Sequence, residues 1–233
     1  QKINDYTLEL EFDSLKSSKN NLLLEKLYLA NINDKLNDIK NPTENDKKRW
    51  SWELMQYALE SCNNNKIDIT FDIKSKANND QYTELTFSHN GRGFNENSLL
   101  ELIFAVDHKE NHMNAKRYGK GFISTHVLSK KVEISGNVIS KGKVTGFSFI
   151  ITREGTDEYG IIKEFKNIQN TCKSGKEPFN LTSFKYEIKT QENQESIKLG
   201  LEHLEKHIYQ VLINCPQIRS VNIKKNGNTK VYS

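Results

Sequence analysis

Arg117-Tyr118-Gly119-Lys120-Gly121-Phe122-Ile123-Ser124-Thr125 is the stretch on which the fold turns: a glycine pair opening a helix. The apolar run that follows, Phe122–Leu128, suits a helix buried on most sides. Free N–H groups and the positive end of the helix dipole make such a start attractive to anions. Lys116, Arg117 and Lys120 add charge that suits a polyphosphate. The spacing is not that of a Walker P-loop, because the Lys-Ser/Thr pair is absent. It is not a Rossmann fingerprint either, which needs a third glycine and a parallel βαβ unit.

Upstream stands a second glycine motif, His89-Asn90-Gly91-Arg92-Gly93-Phe94. It follows a strand carrying Tyr82, Leu85 and Phe87, the antiparallel partner of the strictly alternating Ile67, Ile69, Phe71 and Ile73 across a turn at Asn78-Asn79-Asp80. Glycine tolerates positive φ and lets a backbone approach a ligand closely, though a strand-to-helix turn calls for it equally. Between the two motifs the spacing predicts a helix over about 97–105. Residues 106–118 then run polar, without period, and basic at the end.

Further out, residues 15–41 show helical periodicity, and Thr43 starts a second helix that runs to Asn63. On this second helix Trp50, Leu54, Met55, Ala58, Leu59 and Cys62 cover a broad apolar arc. Arg49, Glu53, Gln56, Tyr57 and Glu60 take the rest, with Glu53, Tyr57 and Glu60 at i, i+4 and i+7. Taken by itself that second arc reads as a solvated face. Beyond the second glycine motif, residues 131–164 read as short β runs with turns at Gly136-Asn137, Lys141-Gly142 and Glu154-Gly155. Residues 171–178 read as a loop, Ser183–Ile188 as a strand, Gln194–Asn214 as a helix and Ile218–Lys224 as a last strand. Helices at both ends with antiparallel strands between them favour an α+β two-layer sandwich over a doubly wound parallel sheet.

Composition narrows the classes. The 233 residues suit a single domain spanning 1–233, and eleven Phe with nine Tyr argue for a packed core. No apolar run approaches the length of a membrane span, the longest, at Leu22–Leu24, being broken by Glu25 and Lys26. Cys62, Cys172 and Cys215 are odd in number and widely spaced, which points to a reducing, cytoplasmic setting rather than a disulfide framework. A net charge of +4 is too small to indicate nucleic acid. His108 and His112 share an i, i+4 spacing but lack the zincin order and a third ligand, and no Gly-x-Ser-x-Gly elbow is present. A chain that opens at Gln1 is expected to be the N-terminal part of a longer one.

The order of the parts carries more than any one of them. An acidic helix, a strand ending in Asn-Gly-x-Gly-Phe, a basic stretch and then Gly-x-Gly-Phe opening a helix resembles the GHKL family of ATP-binding domains. The nearest likeness is to its sacsin-related, heat-shock-chaperone-like bacterial branch. Trp52-Glu53-Leu54, His89-Asn90-Gly91 and Tyr118–Ser129 carry it, over roughly residues 45–190. The resemblance implies the Bergerat fold: a mixed, mostly antiparallel sheet, helices on one face, and ATP between the two. Glu53 would be the general base that activates water, and residues 106–118 the ATP lid. His89 would stand where the family reads adenine with an aspartate, with Gly91 and Gly93 beside the base and Thr182 helping to hold it. Lys116, Tyr118, Gly119, Lys120, Gly121 and Phe122 would surround the phosphates.

Two departures stand out. Where the family has an asparagine that helps bind Mg²⁺, this chain has Tyr57, a poor neutral ligand for a hard cation. His89, in place of aspartate, could accept from the adenine amino group only as a neutral tautomer. The expected activity is therefore a slow ATPase, a chaperone-like hydrolase whose cofactors would be ATP and Mg²⁺. Its nucleotide state would order the lid and control a homodimer or an attached C-terminal module. The competing expectation is an interaction switch of the same fold that has lost hydrolysis. A sensor-kinase reading lacks the two-helix hairpin with a phospho-accepting histidine.

Overall fold

The computed structural model describes residues 21–62, 65–77, 81–105 and 118–233. Its helices are α1 (Asn21–Lys40), α2 (Glu44–Glu60), α3 (Glu96–Phe104), α4 (Tyr118–Ser124), α5 (Glu158–Thr171) and α6 (Gln191–Asn214). Its strands are β1 (Ile67–Ser75), β2 (Tyr82–His89), β3 (Phe94–Asn95), β4 (Lys131–Ser140), β5 (Lys143–Thr152), β6 (Lys173–Lys176), β7 (Thr182–Glu187), β8 (Ile218–Lys225) and β9 (Asn228–Tyr232). Among the described residues the strands form one sheet in the order β6-β5-β4-β7-β2-β1-β8-β9, with β3 beside β4. Two pairings, β1 with β8 and β3 with β4, are parallel and the others antiparallel.

Period-two alternation decides which face is covered. Ile69, Phe71, Ile73, Leu85, Phe87, Ile134, Phe184, Tyr186 and Val221 are all buried under the helices. Their neighbours, such as Asp68, Asp72, Thr86, Ser88 and Lys185, are only half-buried on the other side. The molecule is thus an α+β two-layer sandwich with its helices on one face of a mixed sheet. No described helix is long and apolar enough to cross a membrane.

The helix α2 lies across the middle of the helical layer. It starts at a capping box, in which Thr43 accepts from the Asp46 N–H and Asp46 accepts from the Thr43 N–H. Glu44 and Asp46 in its first turn complement the dipole. Trp50 is fully buried, and its indole N–H donates to the Ser196 carbonyl of α6 at 2.9 Å. A Cβ on Gly200 of α6 would fall 2.1 Å from the Trp50 indole nitrogen, so the two helices meet this closely only because that position is glycine. Arg153, just past β5 and buried, donates to the Tyr28 hydroxyl of α1 and to the Ile103 carbonyl in the last turn of α3 at 2.9 Å. A cation there complements the negative end of α3.

Several expected elements differ. Gly136-Asn137 is no turn: it lies within β4, paired with Phe147 and Gly146, and the hairpin turn between β4 and β5 falls at Lys141-Gly142, both with positive φ of 47° and 79°. Burial on both sides hides the difference, since a glycine facing a neighbour's side chain looks the same in sequence as one in a turn. The β pattern expected as far as residue 164 holds through β4 and β5 to Thr152, and its end instead becomes α5, opened by an Asp157 cap that accepts from the Gly160 N–H and carrying Ile161, Phe165 and Ile168 on one face. Within the expected loop 171–178 sits β6, and β9 follows the strand expected to be last. The first residues of the predicted 15–41 helix and the Asn78-Asn79-Asp80 turn lie outside the described residues.

Candidate functional site

Glu53 and Tyr57 do not belong to a solvated face. Glu53 is 6% exposed and Tyr57 5% exposed, because α4 packs on this side of α2 and Phe184 of β7 lies against the Tyr57 ring. Arg49, one turn earlier, donates through Nε to Glu53 Oε1 at 2.5 Å. The other carboxylate oxygen lies against Gly121: a Cβ built there would meet Glu53 Oε2 at 2.0 Å. Glycine at 121 therefore has a steric reason, and it brings the second glycine motif onto the carboxylate. Tyr57 packs its ring against Phe122 at 5.8 Å and Phe184 at 6.1 Å between centroids. Burial, with Glu60 and Glu53 nearby, pushes its hydroxyl pKa well above the usual value, so it stays a neutral phenol.

The first glycine motif reaches the same helix further along. His89, last in β2, is buried and stands directly opposite Thr182 of β7 in the antiparallel register. Thr182 in turn touches Gly136, whose Cβ would be 3.0 Å from its hydroxyl oxygen. The Gly91 N–H donates to His89 Nδ1 at 3.2 Å, and the Ser61 hydroxyl, which donates to the Ala58 carbonyl at 2.6 Å, lies 3.3 Å from the same nitrogen. The Arg92 N–H donates to the Ser61 carbonyl at 2.9 Å. A Cβ on Gly91 would strike Ser61 Oγ at 1.9 Å, and one on Gly93 would strike the Asn137 carbonyl at 2.3 Å. Burial holds the His89 imidazole neutral, its pKa depressed to about 4.

The two motifs thus dock at Glu53 and Ser61 of one helix, eight residues and roughly 12 Å apart at 1.5 Å per residue. Beside them opens a cavity of about 310 Å³ walled by Tyr57, Glu60, Ser61 and Cys62 of the α2 end, His89, Arg92 to Asn95, Ser98 and Ile139. Of the predicted site residues, Tyr57, His89 and Gly93 face this cavity. Glu53, Gly121 and Phe122 meet one another and Tyr57 deeper along α2, Thr182 flanks His89, and Gly91 backs it. Gly119 lies in the first turn of α4. Lys116 and nearly all of the expected lid, with His108 and His112, lie outside the described residues, as do the side chains of Tyr118 and Lys120.

Sequence reading passed over Ser61, Cys62, Arg92, Asn95, Ser98 and Ile139. Ser61, four residues past Tyr57, was legible as the next position along the Glu53–Tyr57 stripe, whereas Cys62 closes the apolar arc. Asn95 and Ser98 form a helix-cap signal, with the Ser98 N–H donating to Asn95 Oδ1 at 2.8 Å. Ile139 arrives on β4 from far along the chain, and nothing local marks it.

No family model matches the chain, and no curated protein does. Solved structures do match it. One is the crystal structure of the ATPase and transducer domains of DNA topoisomerase II from Balamuthia mandrillaris, with 12% identity and a TM-score of 0.46. The match covers 78% of this chain and 47% of that one, so the chain spans less than half the length of that protein.

Proposed function

We propose that this chain is a nucleotide-binding domain of the GHKL type, with the Bergerat arrangement of helices over a mixed sheet. The observation that carries the reading is convergence on α2: the first glycine motif walls a cavity together with Tyr57, the second packs against Glu53 and the other side of Tyr57, and Thr182 stands beside His89. A purine would enter between Tyr57, Phe94 and Ile139, against His89 and Thr182, with Gly91 and Gly93 giving the backbone room. Its phosphates would run toward Glu53, Gly119 and Gly121, where Lys116, Tyr118, Lys120 and Phe122 complete the surroundings. Residues 106–118 would act as the lid, and the nucleotide state would control a homodimer or an attached module in a cytoplasmic protein.

Glu53 is the candidate general base for hydrolysis of ATP. Arg49 fixes one carboxylate oxygen and leaves the other toward Gly121, an orientation that would let Glu53 take a proton from an attacking water. The donor set does not fit Mg²⁺: a buried neutral phenol packed among rings stands where the metal-binding amide would be. That same phenol favours a second reading, a switch that binds nucleotide without turning it over.

Calorimetric titration with ATP, with and without Mg²⁺, together with phosphate release by the wild type and Glu53→Ala, separates the cases. Binding with release that vanishes in Glu53→Ala supports a slow ATPase. Binding without release leaves the switch, and absence of binding removes the nucleotide reading altogether.

A further inference from the structure

Among the described residues that wall the cavity, α2 contributes Tyr57, Glu60, Ser61 and Cys62 but not Glu53. The carboxylate of Glu53 lies one turn back from Tyr57, and both of its oxygens are taken up. Arg49 donates to Oε1 at 2.5 Å. Oε2 lies so close to the Gly121 backbone that a Cβ there would stand 2.0 Å away. That approach puts the oxygen in contact with the glycine and leaves no space for a water between them. As packed here, the candidate base cannot reach a substrate in the cavity.

The two halves of α4 are held differently. Phe122 is buried against His126 at 5.4 Å and Phe184 at 5.8 Å between centroids, and the Tyr186 hydroxyl donates to Thr125 Oγ1 at 3.0 Å just beyond the helix. The first turn, residues 118–121, has glycine at 119 and 121, which bring no side chain to the packing and weaken the helix. We infer that α4 is a latch: its first turn shuts Glu53 away, and phosphates entering from the cavity lift that turn about Phe122 and uncover Oε2. Arg49 belongs to α2 itself, so its bond to Oε1 survives the movement and the carboxylate keeps its orientation. A ligand shifts such an equilibrium only through contacts that differ between the two forms, so a nucleoside confined to the cavity leaves the latch shut. The inference rests on reading the cleft as a nucleotide pocket with Glu53 as its base.

Carbodiimide-driven amidation of carboxylates with glycine ethyl ester, read by peptide mass spectrometry on the wild-type protein, tests it. Glu44, on the same helix with its side chain 70% exposed, is the reference. Without ligand, Glu53 should be modified about tenfold or more slower than Glu44, as befits an open form populated below about 10%. Saturating ADP, whose missing γ-phosphate leaves the space before Glu53 open to the reagent, should bring Glu53 to within about threefold of Glu44. Saturating adenosine should leave it slow. Calorimetry in the same buffer establishes that ADP binds. Equal modification of Glu53 and Glu44 without ligand, an unreactive Glu53 with ADP bound, or the same acceleration by adenosine overturns the latch alone. If ADP does not bind, the pocket reading falls and this inference with it.

Discussion

At the scale of single residues the site is governed by what glycine permits and what burial forbids. Gly121 gives the Glu53 carboxylate its place. Alanine there adds roughly 1 kcal/mol of helix propensity, offsetting much of the crowding, while pushing the carboxylate aside. Gly121→Ala should therefore melt within a few degrees of the wild type yet lose whatever phosphate release Glu53 supports; undiminished release would separate Glu53 from the chemistry. His89 and His126 are both held neutral by burial, each with its pKa depressed to about 4 from an ordinary 6.5. The unfolded chain takes up these protons first. Stability from each histidine is complete above pH 6.5 and is lost as pH falls through the window down to about 4, at about 1.4 kcal/mol per pH unit. Urea midpoints at pH 7.5, 6 and 5 read this directly, and a flat profile across that range would contradict the burial of both rings.

At the scale of elements, α2 is the part on which everything else is mounted. Its upstream end is set by the Thr43–Asp46 capping box, so Thr43→Ala should cost about 1 kcal/mol and lower the urea midpoint without altering its slope. Its packing on α6 depends on Gly200. Gly200→Ala drives a methyl into the Trp50 ring, and overpacking of this kind costs about 1–3 kcal/mol. Because Trp50 is buried against the neighbouring helix, its fluorescence should shift in that variant. A Gly200→Ala protein as stable as the wild type, with unchanged emission, would mean that α2 and α6 do not meet this closely.

At the scale of the whole molecule, the aromatic cluster of Tyr57, Phe122, Phe184 and Phe87 joins the helical layer to the sheet beneath the cavity. Tyr57 is part of that core as well as a wall of the pocket. Tyr57→Asn, which puts an amide in place of the phenol, should cost about 2–4 kcal/mol through the lost ring, as large-to-small core changes do. If the phenol is what prevents turnover, the same variant should gain Mg²⁺-dependent phosphate release despite its lower melting temperature. No gain in a variant that still binds nucleotide would place the block on hydrolysis elsewhere.

Short-range patterns were enough for much of this protein. The alternation of Ile67, Ile69, Phe71 and Ile73, the glycine spacing around His89 and Gly121, and the helical stripe on 44–60 are all set by neighbours within a turn or two, and each is legible in the chain alone. From them came the α+β class, the order of the parts and, among the cavity's walls, Tyr57, His89 and Gly93. Facts made by groups far apart in sequence had to wait for the tertiary structure. The stripe of Glu53 and Tyr57 could be solvated or buried until α4 was seen to pack on it, with Phe184 of β7 against the Tyr57 ring. Gly136 read as a turn until Thr182 was found against it, and Ile139 joined the cavity with no local mark. The proton on His89 was likewise undecided until the Gly91 N–H was placed. A side chain's polarity is written in the sequence, but whether it meets water, a ring or a donor depends on what folds over it.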